Sequence, residues 1–419
     1  MGNGFGLSID GFVPAAPRIA KSGRATEGAV GYCAMSARKI YDVAVVGAGV
    51  FGAWTALELA RRGKRVLMLE AYGPGHSRSS SGDESRIIRM GYGADEIYTR
   101  WSQRSLGKWK ELFAATHNEG LFQNTGVLWM AAAGDLTLRA TRQVLARCSV
   151  RFREFDRETL VSRYSQIHLD SIAEGIYEPE SGVLMARRAV AATVAEAVRL
   201  GVELKAAAIL EPRDVGALEE LRSTNGEVFA AGEFVFACGA WLKKLFPEVL
   251  GKRIFVTRQP VFYVSIPAGD DRFAPAKLPT WLIQNDECYG MPDLESRGLK
   301  VALDRHGDAV DPDTQSRLVT DSEIAEMRAY VARRFPALKE APTAETRVCQ
   351  YENSSNGDFL VDRHPDMTNV WLVGGGSGHG FKHGPAMGEY VVRQLMGEGG
   401  AEPRFSLASK ATVQKRTVH

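Results

Sequence analysis

At 419 residues, 45% of them hydrophobic, the chain is long for one core, and at roughly 100–200 residues per domain two domains are expected. Its 52 basic and 50 acidic residues leave a net charge of +2, which gives no sign of a nucleic-acid or membrane surface, and no stretch approaches the roughly 18 uninterrupted apolar residues of a membrane span. Five scattered cysteines (Cys33, Cys148, Cys238, Cys288, Cys349) have neither CxxC spacing nor histidine-rich company, which argues against a disulfide frame or a metal site and fits a reducing, cytoplasmic compartment.

Residues 1–38 carry Gly, Ala, Pro, Arg and Lys with little periodicity, and their longest apolar patch, Gly11-Phe-Val-Pro-Ala-Ala-Pro17, is too short and broken for a secretory signal. They read as a disordered leader. Being basic and poor in acids, they equally suit an organelle transit segment or an extension ahead of a start at Met35. Thr417-Val-His419 is not a peroxisomal address.

The first strong element is Val43-Ala-Val-Val-Gly47-Ala-Gly49-Val-Phe-Gly52. Residues 42–46 are short, apolar and β-branched, residues 53–62 have helical spacing, Gly63 stops them, and Arg65-Val-Leu-Met-Leu-Glu70 reads as a second strand. Strand, glycine turn, helix and strand in this order form a dinucleotide-binding unit. Gly47 allows the tight turn, Gly49 the approach of a pyrophosphate to bare backbone, and Gly52 the packing of helix on sheet, while the helix N-terminus offers unpaired N–H groups. Glu70 follows Gly49 by 21 residues, where a carboxylate accepts from both ribose hydroxyls. This favours FAD or NAD over NADP, whose 2′-phosphate it would repel.

Residues 73–84 form a polar loop rich in glycine and serine, and residues 96–113 read as a helix. Helical spacing over 189–200 precedes a strand at 202–206, and Glu233-Phe-Val-Phe-Ala-Cys238 is a buried strand. Strands are expected at 259–264, 280–283 and 298–302, a helix at 321–335, and a buried strand at 370–373. The run Gly374-Gly-Gly-Ser-Gly-His-Gly380 then leads to Pro385, which a first helical turn tolerates, and the helix continues to Leu395. A helix start placed there would favour an anion developing on a flavin ring. The pattern predicts an α/β fold: a discontinuous Rossmann-like domain from 41–122, 183–255 and 340–400, and an antiparallel-sheet α+β substrate domain from 123–182 and 256–339.

Gly47-Ala-Gly-Val-Phe-Gly52, Ser85-Arg-Ile-Ile-Arg89, Ala237-Cys-Gly-Ala-Trp241, Gly298-Leu-Lys300, Cys349-Gln-Tyr351 and Gly378-His-Gly-Phe-Lys382 together resemble the monomeric sarcosine oxidase and N-methyltryptophan oxidase branch of the D-amino-acid-oxidase-like flavoproteins. The likeness runs over residues 41–408, with the motifs in the family's order. It implies FAD held covalently through Cys349, whose sequence neighbour Arg347 is a cation two residues away that would favour the thiolate. It implies that Arg89 and Lys382 grip a substrate carboxylate, that Lys300 serves oxygen, and that Tyr289 and Tyr351 line the pocket. Arg86, Gly376, Gly378, His379, Gly380 and Lys382 are expected around the flavin, with His379 as a loop-shaping or flavin-contacting residue and not a base. Two departures bear on the pocket walls: Ser81 and Asp304 stand where the resembled enzymes carry histidine.

The activity implied is oxidation of a secondary amino acid, N-methyl or cyclic, by hydride transfer from Cα, with imine hydrolysis and reduction of dioxygen to hydrogen peroxide, in a monomer whose partners are a small amino acid and oxygen. The alternatives are a flavin dehydrogenase passing electrons to a carrier or quinone, and a non-catalytic flavoprotein subunit. An NAD-dependent dehydrogenase would leave the second glycine loop without a flavin to serve.

Overall fold

The computed structural model describes residues 40–415. The expected leader, with Cys33 and Met35, and the C-terminal residues 416–419 lie outside them. Strand Ile40–Val46 runs parallel between Val66–Glu70 and Val228–Phe236. All five residues of Val66–Glu70 are buried, as expected for an apolar strand covered on both faces. The sheet order is Leu360–Arg363, Val370–Gly374, Val228–Phe236, Ile40–Val46, Val66–Glu70, Glu203–Ala206, with Glu220–Arg222 paired to Val228–Phe236. The chain passes to opposite sides of Ile40–Val46, so a crevice opens beyond the carboxyl ends of the central strands, where Gly47, Glu70 and Ala237 follow.

The first helix, Val50–Arg61, starts three residues earlier than its apolar spacing suggested, because Gly49 is its N-cap and Gly52 lies in its first turn. Helix Gly384–Leu395 packs against it through Gly388, where a Cβ would meet the Trp54 carbonyl carbon at 2.6 Å.

A second, eight-stranded sheet has the order Thr343–Ser354, Ile254–Val264, Leu299–Leu303, Cys288–Met291, Thr280–Ile283, Val127–Ala131, Glu174–Glu178, Arg153–Asp156. Its pairings are antiparallel except the parallel contact of Thr280–Ile283 with Val127–Ala131. Thr343–Ser354 pairs with Ile254–Val264 from end to end, so this sheet takes in 343–354, a stretch that the sequence grouped with the nucleotide-binding segments. Charged Glu345 and Arg347 and partial burial of its first half mask the strand pattern. A core of Leu128, Phe262, Phe273, Trp281 and Phe335 joins one face of the sheet to helix Asp321–Arg334 through Met327 and Val331. A small sheet of Arg86–Ile88, Gly182–Leu184 and Phe122–Gln123 carries the arginine-bearing segment. Among the described residues, no helix is long and apolar enough to cross a membrane, and no group of His, Cys, Asp and Glu could hold a metal ion.

Candidate active site and cofactor cavity

A cavity of about 360 Å³ occupies the crevice, with Gly47, Gly49 and Glu70 along one part of its wall and Arg86, Tyr351 and Gly378 along another. Gly47 has φ +101°, and a Cβ there would lie 2.4 Å from the Ala237 carbonyl oxygen. At Gly52 a Cβ would fall 1.9 Å from the Gly47 carbonyl oxygen, whereas at Gly49 its nearest neighbour would be Ser81 Oγ at 3.6 Å. The three glycines thus do different work: Gly47 and Gly52 let the turn close, and Gly49 leaves backbone bare toward the cavity. The Glu70 carboxylate accepts from the N–H groups of Ala48 (2.7 Å) and Tyr72 (3.0 Å). Ser81 Oγ accepts from Val50 N–H at 3.2 Å, so this departure from histidine touches the helix start. Bare backbone at a helix N-terminus and a carboxylate at the end of the second strand fit the pyrophosphate and ribose of FAD.

The second glycine loop differs from expectation. Gly376, Gly378, Gly380 and Phe381 line the cavity, but the N–H groups of His379 and Gly380 bond back to the Gly376 carbonyl. A 3₁₀ turn, Phe381–His383, intervenes before helix Gly384–Leu395. The first-turn N–H of Ala386 is taken by Ser105 Oγ. The loop, not the helix start, therefore meets the cavity, because Pro385 marks the first helical turn and holds the helix start beyond the glycines. Gly378 lies against Tyr351, where a Cβ would sit 2.6 Å from the ring.

Lys300 is 1% exposed, and its ammonium donates to Asp83 Oδ2 (2.6 Å), the Ser85 carbonyl (2.8 Å) and Ser85 Oγ (3.2 Å). All three of its donor positions are thus used. Asp83 also accepts from Arg86, and from Glu84 N–H at 2.8 Å. Burial pulls the Lys300 ammonium down to about 8, against the opposing pull of Asp83. Burial would raise the Asp83 carboxyl, yet Lys300 and Arg86 hold it well below the usual carboxylate range. Two cations share one carboxylate, leaving one net positive charge beside the cavity wall formed by Arg86.

The cation at Cys349 is not Arg347. Residues 347 and 349 share a strand face, but the Arg347 guanidinium is captured by Glu84 at 2.8 Å and by Glu345. Arg86 Nη2 instead meets the buried Cys349 Sγ at 3.0 Å. Tyr289 and Tyr351 lie close to each other and to Arg86, and burial, with Asp304 adding to it, raises both phenols. Tyr351 lines the cavity; Cys349, Tyr289, Lys300 and Asp304 do not.

Arg89 and Lys382 meet at Tyr92. The Arg89 guanidinium lies over the rings of Tyr92 (4.2 Å) and Trp129 (4.6 Å), and Lys382 Nζ donates to Tyr92 Oη (2.8 Å) and to the His379 carbonyl (2.9 Å). Glu178, 1% exposed, accepts from the N–H groups of Met90 and Gly91 and from Trp129 Nε1, which fixes the turn after Arg89. His379 stacks on Phe359 at 4.8 Å and its Nε2 meets the Gly357 carbonyl at 2.9 Å. It shapes the loop and does not line the cavity. Burial, with Lys382 beside it, keeps His383 neutral.

Asp83, Tyr92 and Glu178 escaped the sequence reading. Asp83 had one signal, an acid inside a glycine- and serine-rich loop; the others had none, since each acts through residues far away in the chain.

The model of the FAD-dependent oxidoreductase (DAO) family matches residues 42–394. The chain is 29% identical over 392 residues to monomeric sarcosine oxidase of Bacillus sp. (strain B-0618), covering 90% of this chain and 99% of that protein. It is 27% identical to N-methyl-L-tryptophan oxidase of Salmonella newport (strain SL254), covering 88% and 97%. Its fold is similar to the crystal structure of the deglycating enzyme fructosamine oxidase from Aspergillus fumigatus (Amadoriase II), with a TM-score of 0.75 and 20% identity over 90% of this chain and 93% of that one. The glycine turn, the carboxylate at Glu70 and the cavity between two glycine loops are thus those of a member of the FAD-dependent oxidoreductase (DAO) family.

Proposed function

We propose that this chain oxidises a secondary amino acid, N-methyl or cyclic, to its imine, that water hydrolyses the imine, and that dioxygen takes the electrons and becomes hydrogen peroxide. FAD, when bound, supplies the two-electron acceptor. Gly47, Gly49, Gly52 and Glu70 would hold its adenylate side, and Arg86, Gly376, Gly378 and Gly380 its flavin side. Cys349 is the proposed point of covalent attachment. The Arg86 guanidinium 3.0 Å from its sulfur supports this, since it sets a cation beside the proposed point of attachment.

Arg89 and Lys382 bind the substrate carboxylate. Held against one phenol, the two cations favour an anionic ligand and orient its Cα–H. Tyr351 walls the pocket and Tyr289 backs it; kept as phenols, the two exclude water. Lys300 holds its proton on Nζ and stabilises the charge that develops as dioxygen is reduced. The single observation that carries this reading is the buried Lys300 ammonium, paired with Asp83 and joined through it to Arg86 at the cavity wall. The names of the two relatives, oxidases of sarcosine and of N-methyl-L-tryptophan, support the substrate class.

Stopped-flow measurement of the two half-reactions tests it. Lys300→Met is expected to slow reoxidation by oxygen by orders of magnitude and to leave anaerobic reduction by substrate largely intact. Equal losses in both would refute the role, and slow reoxidation of the unmodified protein in air would point to a dehydrogenase.

A further inference from the structure

The phenol oxygen of Tyr92, in the main core, is met by three side chains from one turn of chain: Lys382 Nζ at 2.8 Å, His383 Nε2 at 2.8 Å and His379 Nδ1 at 3.3 Å. Positions 379, 382 and 383 have helix-like spacing, so the loop and the 3₁₀ turn ahead of helix Gly384–Leu395 present all three on one side. His383 is fully buried, and none of the roles above uses it.

The partners decide where the protons lie. A carbonyl only accepts, so His379 carries its proton on Nε2, 2.9 Å from the Gly357 oxygen, and as a neutral ring turns the lone pair of Nδ1 to Tyr92. The Lys382 ammonium only donates. The remaining choice lies at His383, a neutral ring whose Nδ1 is buried beside Tyr98 and Phe359 without a hydrogen-bond partner. Were Tyr92 to give its proton to His383 Nε2, the His383 proton would sit on Nδ1 as a buried N–H with no acceptor, and the lone pairs of Tyr92 Oη and His379 Nδ1 would face each other. With His383 donating from Nε2, the phenol proton goes to His379, and Nδ1 of His383 keeps a lone pair in place of an orphaned N–H. The second arrangement costs less, because an orphaned buried donor forfeits a whole hydrogen bond. Tyr92 Oη therefore accepts from Lys382 and His383 and donates to His379, and the donors run one way to the Gly357 carbonyl.

We propose that His383 is a positioning residue for substrate binding: its Nε2–H sets Tyr92 Oη as an acceptor, and that oxygen, with the His379 carbonyl, holds the Lys382 ammonium where it meets the substrate carboxylate. The inference rests on Lys382 being a ligand of that carboxylate. Loss of the His383 donor removes a tether of the phenol and lets its proton swing away from His379, so the ammonium loses a fixed acceptor. Hydrogen bonds weaken steeply with distance and angle, and a small displacement of Nζ is felt in full by the ligand.

Propionate, a carboxylate with no amine to oxidise, is titrated into the holoproteins, and its dissociation constant is read from the change in the flavin absorption band. His383→Leu is expected to raise that constant about tenfold, the worth of one hydrogen bond. His383→Gln, whose amide N–H takes the place of Nε2–H, is expected to stay within about threefold of the unmodified protein. Tyr92→Phe removes the intermediary and is expected to weaken propionate at least as much as His383→Leu. Because His383 acts through Tyr92, the double variant Tyr92→Phe/His383→Leu is expected to bind no more weakly than Tyr92→Phe alone. Unchanged affinity in His383→Leu, an equal loss in His383→Gln, or losses that multiply in the double variant overturns the proposal. If His383→Leu does not fold, the other two single variants decide: a loss in Tyr92→Phe that His383→Gln does not share supports the role, and any other pattern overturns it. Lys382→Met separates this inference from the reading beneath it. If Lys382→Met binds propionate as tightly as the unmodified protein, or if propionate leaves the unmodified flavin band unshifted, the carboxylate assignment falls and this proposal with it; a loss in Lys382→Met beside an unchanged His383→Leu removes the role of His383 alone.

Discussion

Asp83 serves two cations and Lys300 only one anion, and this asymmetry predicts unequal costs of removal. Asp83→Asn keeps the shape but leaves the Lys300 ammonium, 1% exposed, and the Arg86 guanidinium without their carboxylate. Removing one partner of a buried charge pair costs about 3–5 kcal/mol. Lys300→Met removes one cation, while Asp83 keeps Arg86 and the Glu84 N–H; the loss is then charge-assisted hydrogen bonding worth about 1–3 kcal/mol. In the double variant no buried ammonium remains, so it is expected to be more stable than Asp83→Asn alone, with a coupling of about 1–3 kcal/mol. Urea unfolding of the holoproteins, followed by far-ultraviolet circular dichroism and by flavin fluorescence, measures all four corners of the cycle. A Lys300→Met cost equal to or above that of Asp83→Asn, or two costs that simply add, would refute the shared-carboxylate account.

The glycines separate fold from binding. Gly52→Ala places a methyl 1.9 Å from a backbone oxygen and is expected to give insoluble or unfolded protein, whereas Gly49→Ala meets only Ser81 Oγ at 3.6 Å and is expected to fold normally but bind FAD weakly; circular dichroism and flavin content distinguish them. Cys349→Ala is expected to release its flavin on acid precipitation, and yellow colour staying with the precipitate would exclude this cysteine as the attachment point. Because burial pulls Lys300 from its ordinary 10.5 down to about 8, the oxygen half-reaction is expected to fall as pH rises through about 8, a step that Lys300→Met abolishes. The sign for stability is opposite. The folded chain holds the depressed ammonium at a penalty that is full below about pH 8 and relieved as pH approaches 10.5, so unfolding midpoints compared with those of Lys300→Met should rise across that window.

The nucleotide-binding unit was legible because its signals are local: an apolar strand, three glycines, a helix and an acid lie within residues 42–70. The buried strand Val370–Gly374 was legible for the same reason, whereas the glycine loop after it was read as feeding a helix start directly and is followed instead by a 3₁₀ turn. The 12-residue strand Thr343–Ser354 was not, because its register is set by pairing with Ile254–Val264 while its own first half is charged and partly exposed. Within the candidate site, resemblance pointed to Lys300, but its partner Asp83 lies 217 residues away in a loop. Arg347 looked like the cation for Cys349 on sequence proximity alone, and long-range acids decided otherwise: Glu84 claims Arg347, which leaves Arg86 to the thiol. Tyr92 illustrates the same limit, since its contacts with Arg89 and Lys382 join segments 290 residues apart.

The measurement that bears most directly on the account is the visible spectrum of the purified protein under anaerobic titration with sarcosine and other secondary amino acids. The flavin band is expected to bleach with at least one N-methyl or cyclic amino acid and to return when air is admitted, with one hydrogen peroxide formed per flavin. A colourless protein that takes up no FAD, or a yellow one whose band no secondary amino acid bleaches, would contradict it.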